Sequence, residues 1–147
     1  MRVNALQLKR TRIHDSASYF LRETHMKLLI VDDSSVIRSR IARVSGDSNL
    51  TDLNIIGLAK NGQEAIRICK VILPDLVTMD LTMPEMDGVS CIKHLLAHYP
   101  KLNILVISAL SDRTTAIQAL KLGARGFLNK PFNDRQLIDA LLEFENQ

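Results

Sequence analysis

Five short apolar runs, each followed by an amphipathic stretch, constrain this chain more than any other feature. They are "LLIVDD" (28–33), "NIIGLA" (54–59), "DLVTMD" (75–80), "NILVIS" (103–108) and "GFLNK" (126–130). Nearly continuous apolar runs of this length suit strands covered on both faces, which belong in parallel sheets flanked by helices. The stretches between them have helical spacing. Val36, Ile37, Ile41 and Val44 form the first stripe. Ala65, Ile66, Cys69 and Ile72 are expected inward on the second helix, and Cys91, Ile92, Leu95 and Leu96 lie along the third. Ala116, Ile117 and Leu120 are expected inward on the fourth, and Leu137, Ile138, Leu141 and Phe144 lie along the fifth. Start and stop signals bracket them. Asn61 with Glu64 reads as an N-cap and its partner, Asp87–Gly88 opens the third helix before Pro100 ends it, Ser111 or Asp112 caps the fourth before Gly123 stops it, and Asn133 caps the last.

A βα unit repeated five times, joined by right-handed crossovers, predicts a doubly wound, five-stranded parallel sheet of flavodoxin-like order 2-1-3-4-5. The 147 residues suffice for one domain with a real core. Cys69 and Cys91 fall in separate helices, outside any CxxC or Cys/His cluster, so they read as buried reduced thiols rather than zinc ligands. His14, His25, His94 and His98 are expected exposed, and the i,i+4 pair His94 and His98 has no evident carboxylate partner. No apolar run approaches the roughly 18 residues of a membrane helix, and no secretory signal is visible. Residues 1–25 hold five basic groups against two acidic ones; the rest hold fourteen of each. The body therefore carries no basic excess that would suggest nucleic acid.

Ligands of such sheets bind beyond the carboxyl ends of the strands, near the switch in strand order. Strand one delivers Asp32 and Asp33 there, strand three Asp80, strand four Ser108 and strand five Lys130. These four strands are contiguous in the expected order. Two carboxylates about 5 Å apart repel by roughly 3 kcal/mol at an effective dielectric near 20. Three of them with one lysine leave a residual charge that suits one divalent ion, and a carboxylate, carbonyl and water environment favours Mg²⁺ or Mn²⁺. A carboxylate beside such an ion, a lysine and a hydroxyl suits phosphoryl acceptance, because an Asp oxygen can attack phosphorus in line. Alone, Asp32–Asp33 would read as a helix cap, Ser108 as a turn hydroxyl and Lys130 as a surface lysine. Their convergence on Asp80 favours a site.

The segments "LLIVDDSS", "DLVTMDLTMPEMDG", "VISA" and "FLNKPF" resemble the receiver domain of bacterial two-component response regulators, stand-alone chemotaxis type, over about residues 27–145. The resemblance implies that Asp80 is the phosphoacceptor and that Asp32, Asp33 and Asp80, with the backbone carbonyl of Thr82, hold the metal. It further implies that Ser108 is the switch hydroxyl, that Lys130 contacts phosphate through a segment with a cis Lys130–Pro131 bond, and that Phe127 is a switch aromatic without a tyrosine's hydroxyl. Pro84 and Gly88 are expected to shape the loop after Asp80, Glu85 to be solvated and Asp87 to cap the next helix. Thr82 and Leu110 stand where the family flanks the route of attacking water; Leu110 cannot orient water, so slow self-dephosphorylation is expected.

By the same resemblance, residues 26–147 form a receiver domain and residues 1–25 a basic extension. That extension could be a tail, a helix docking through Leu6, Ile13, Ala17 and Phe20, or residues before a start at Met26. With only three residues after Phe144, no C-terminal output domain is expected. The implied function is a cytoplasmic, monomeric signalling switch rather than an enzyme on a separate substrate. It would take a phosphoryl group from a histidine kinase or phosphotransfer domain and then change its helix four–strand five–helix five face toward a downstream protein. No nucleic acid or membrane partner is expected. A small phosphatase with an aspartyl nucleophile is the rival enzyme, but "MDLTMP" lacks the second acid of a DxDxT pattern. A phosphorylation-independent interaction module is the other alternative.

Overall fold

The computed structural model describes residues 25–50 and 52–146. The expectations for the stripe Leu6, Ile13, Ala17 and Phe20 and for His14 lie outside the described residues. The elements alternate as β1 (Met26–Val31), α1 (Ser35–Ser45), β2 (Leu53–Ala59), α2 (Gly62–Val71), β3 (Leu76–Met79), α3 (Gly88–His98), β4 (Asn103–Ala109), α4 (Arg113–Leu122), β5 (Gly126–Lys130) and α5 (Asp134–Glu145). A single 3-10 turn, Leu110–Asp112, leads into α4. The sheet runs β2-β1-β3-β4-β5 with every pairing parallel, as the apolar runs require.

Alternation along the strands divides the core in two. Leu29, Val31, Val77, Met79, Ile104 and Val106 face Ala65, Cys69, Cys91, Ile92, Leu95, Ala116 and Ala119 of α2, α3 and α4. Leu28, Ile30, Leu76, Leu105 and Ile107 face Ile41, Val44, Leu137, Ile138, Leu141 and Phe144 of α1 and α5. Both thiols are free and buried, and burial pushes them up, Cys69 to about 11 and Cys91 to about 12. Among the described residues no helix is long and apolar enough to cross a membrane.

The caps follow the local sequence. Ser34 accepts from the Ile37 N–H, Asn61 from Glu64, Asp87 from Ser90 and Asn133 from Gln136, whose side chain returns the bond to Asn133. Glu64 reaches back one residue further than a capping box requires, to the Lys60 N–H at 3.3 Å.

Several expectations need correction. The ladders of β1 and β3 end at Val31 and Met79, so Asp32, Asp33 and Asp80 lie just beyond the strands rather than within them. Ile117 and Leu120 point outward, 47% and 42% exposed, because the small faces of Ala116 and Ala119 seat α4 against the sheet. Val36 and Ile72 are also exposed. His25 and His94 are half-buried rather than exposed, and the His94 ring stacks on His98 at 4.3 Å.

Candidate functional site

The carboxyl ends of β1 and β3 meet at the centre of the sheet, and the acids beyond them are anchored by one further rung. The Asp32 N–H donates to the Ala59 carbonyl and the Asp80 N–H to the Val31 carbonyl, both at 3.0 Å. One carboxylate oxygen from each of Asp32, Asp33 and Asp80 lies within 4.8 Å of the others. Asp32 is 1% exposed, Asp80 4%, while Asp33 stands at the surface.

Both Asp32 oxygens are engaged: Oδ1 accepts from the Ser34 N–H at 2.9 Å and Oδ2 from Lys130 Nζ at 2.7 Å. Arg38 Nη1 donates to the Asp32 carbonyl at 2.7 Å, tying α1 to the same turn. Ser34, not Asp32 or Asp33, therefore caps α1. Lys130 also stands 3.5 Å from Asp80 Oδ1. The Lys130–Pro131 bond is cis, as the resemblance implied.

Asp80 is the strained acid of the group. Burial and then the neighbouring Asp32 push its carboxyl up to about 7, against the opposing pull of Lys130 and the Thr82 N–H. Burial works against the charge on Lys130, yet its hydrogen bond to Asp32 and the fields of both buried acids raise its pKa overall. Three acids facing one lysine leave an uncompensated negative cluster of hard oxygen donors, which fits a divalent cation such as Mg²⁺.

The loop after Asp80 closes by contact. A Cβ on Gly88 would lie 2.3 Å from the Asp80 carbonyl oxygen and 2.6 Å from Leu81 Cα, so only glycine lets α3 start there. Glu85 is exposed, as expected, but its backbone is left-handed (φ 68°) and its carboxylate accepts from the Asn61 amide at 3.3 Å.

Ser108 and Thr82 do not point their hydroxyl protons at Asp80. Ser108, fully buried, donates to Asp112 Oδ2 at 2.8 Å, and the Thr82 hydroxyl donates to the same oxygen at 2.9 Å. Asp112 was foreseen as a possible helix cap; at the N-cap position of α4 its side chain caps nothing. The Ser108–Asp112 spacing of four was visible, but the tie to Thr82 spans thirty residues and had no sequence signal. Phe127 sits half-buried on β5, paired in register with Val106 and packed against the core shared with α2, α3 and α4.

Comparison with known proteins agrees with this geometry. The family model for the response regulator receiver domain matches residues 28–142. The chemotaxis protein CheY of Listeria monocytogenes is 37% identical over 116 residues, 79% of this chain and 95% of that protein. The receiver domain of AraT, a response regulator from Geobacillus stearothermophilus, superposes with a TM-score of 0.76 at 29% identity, covering 82% of this chain and 93% of that one. The CheX–CheY complex of Borrelia burgdorferi, containing beryllofluoride and magnesium, matches with a TM-score of 0.71 at 29% identity, covering 80% of this chain and 87% of that one. With its sheet order, its acidic cluster and these matches in accord, the chain belongs to the response regulator receiver domain family.

Proposed function

We propose that the chain is a stand-alone phosphorylation switch in a two-component pathway of the chemotaxis or relay kind. A phosphohistidine on a kinase or phosphotransfer domain is the donor, and Asp80 is the acceptor. An Asp80 oxygen attacks phosphorus; the O–P bond forms as the P–N bond breaks, and the electron pair returns to the imidazole nitrogen, which takes up a proton. Lys130, held by Asp32, faces the incoming phosphoryl oxygens. Asp32, Asp33, Asp80 and the Thr82 carbonyl would hold Mg²⁺ or Mn²⁺. Such an ion, when bound, offsets negative charge on the acceptor and on the transferring group.

Ser108 then donates to a phosphoryl oxygen and Phe127 moves toward the space it leaves, altering the face built by α4, β5 and α5. Leu110, Ile117, Leu120 and Leu122 are exposed in and around α4, an apolar surface suited to a downstream protein. The free energy for the switch is the difference in phosphoryl contacts between the two states.

The observation carrying this proposal is Asp80 itself: an acid 4% exposed, clustered with two others and 3.5 Å from Lys130. Thr82 occupies the place where a DxDxT phosphatase needs its second acid, and its hydroxyl is bound to Asp112. The test is incubation with a small phosphodonor and Mg²⁺, followed by intact mass. A phosphoryl adduct on the native chain and none on Asp80→Asn is expected. No adduct on the native chain, or an equal one on the variant, would overturn the assignment.

A further inference from the structure

We infer that Asp112 is a positioning residue for phosphoryl transfer: its Oδ2 holds the Ser108 and Thr82 hydroxyls in the resting state, and it releases Ser108 to cap α4 when Asp80 carries a phosphoryl group. The inference rests on the phosphoacceptor role proposed for Asp80.

Ser108 has one hydroxyl proton, and a proton given to Asp112 is withheld from a phosphoryl oxygen. The two partners are mutually exclusive. Ser108 is also completely buried, so water does not compete for that proton at the surface. The Thr82 bond to the same Oδ2 holds the carboxylate toward the site from the β3–α3 loop. Breaking the Ser108 bond is therefore a step on the way to the phosphorylated state.

The second half of the exchange is local. Ser34, Asn61, Asp87 and Asn133 each cap their helix with a side-chain oxygen, whereas Asp112, in the same position on α4, makes no such bond. An aspartate there ordinarily accepts from the N–H two or three residues on, here Thr114 or Thr115. Asp112 and Thr115 line the same open cleft, about 390 Å³, between α4 and the β3–α3 loop. The cleft gives the carboxylate room to turn toward those N–H groups once the Asp112 backbone, now at φ −93° and ψ 19° in the 3-10 turn, opens to the extended conformation of the other four caps. Moving it rebuilds the first turn of α4, the helix that carries exposed Ile117, Leu120 and Leu122. The hydroxyl exchange at the site is thereby coupled to the surface proposed for the partner.

A double-mutant cycle on the full chain tests this. Wild type, Asp112→Ala and Asp112→Asn are compared, each with Ser108 and with Ser108→Ala, using phosphoramidate and Mg²⁺ and following the Asp80 adduct by intact mass. In that reaction the Asp80 O–P bond forms, the P–N bond breaks, and ammonia leaves with the electron pair and a proton. One net hydrogen bond corresponds to about fivefold in rate, so Asp112→Ala speeds adduct formation by about that factor when Ser108 is present and leaves the rate unchanged when Ser108 is Ala. Asp112→Asn, whose amide oxygen still accepts, stays near wild type. Amide exchange in the wild type supplies a second readout: the Thr114 or Thr115 N–H gains protection on phosphorylation, and that gain is missing in Asp112→Ala. Equal acceleration in both Ser108 backgrounds, or by Asn as much as by Ala, would reduce Asp112 to a simple charge effect and overturn the inference, as would unchanged protection of both amides in a phosphorylated wild type. A wild type that forms no adduct overturns the phosphoacceptor role, and the inference with it.

Discussion

Replacing Asp80 by asparagine stabilises the cation-free protein, although it removes the proposed acceptor. The folded state raises the Asp80 pKa from 3.8 to about 7, chiefly through burial and the neighbouring Asp32. The folded protein then holds a proton that the unfolded chain has lost. This proton-linked stability is complete below the unfolded pKa and disappears as pH rises through the folded one. Holding this carboxyl near 7 rather than 3.8 makes ionised Asp80 cost on the order of 4 kcal/mol above neutrality. Asparagine carries no such cost and is close in shape. Its amide oxygen can still accept from the Thr82 N–H, and Lys130 keeps its 2.7 Å bond to Asp32. Allowing for imperfect replacement, the expected net gain is about 2–4 kcal/mol at about pH 8, falling below about 1 kcal/mol near pH 4. Urea unfolding with EDTA measures it: with a slope of about 2 kcal/mol per molar, the variant midpoint lies about 1–2 M higher at the alkaline pH and merges with wild type in acid. Saturating Mg²⁺ narrows the gap by raising the wild type, by about 2.7 kcal/mol at a hundredfold excess over Kd. A variant no more stable than wild type at pH 8, or a gap that ignores pH, would show that Asp80 is not held under electrostatic strain.

Three further outcomes are expected. Gly88→Ala destabilises by about 1–3 kcal/mol or more, because its Cβ meets backbone at 2.3 Å, and it weakens Mg²⁺ binding measured by titration; an unchanged melting temperature would mean that the β3–α3 loop yields freely. Thr78→Val stabilises by about 1 kcal/mol, since the buried Thr78 hydroxyl has no partner among the described residues; a lower midpoint in urea would reveal a partner for it. Leu110→Glu shortens the life of the phosphorylated state, followed by decay of the mass adduct, because exposed Leu110 cannot orient an attacking water; a longer life after the substitution contradicts this.

Much of the fold was legible because its signals are local. An all-parallel sheet with both faces covered needs near-continuous apolar runs, and β5 begins and ends where its run does. The caps at Asn61, Asp87 and Asn133 were readable because an N-cap bond spans three residues. Periodicity failed on α4, where Ile117 and Leu120 share an apolar stripe with Ala116 but face outward. A stripe records which positions are apolar; which arc of it is covered depends on how closely the helix approaches the sheet.

The same division runs through the site. The sequence by itself determined which residues lie at or just beyond the carboxyl ends of the strands, and so which side chains reach one edge of the sheet: Asp32, Asp33, Asp80, Ser108 and Lys130. Connectivity and strand order suffice for that, because successive parallel strands deliver their carboxyl ends to the same side. Only the tertiary structure decided what each of them does at rest. Burial and the field of Asp32 set the Asp80 pKa, and both exist only once distant strands are assembled. Asp112 accepts its two hydrogen bonds from Ser108 and from Thr82, thirty residues away, because the turn before α4 comes to rest beside the β3–α3 loop, a proximity that no local pattern encodes.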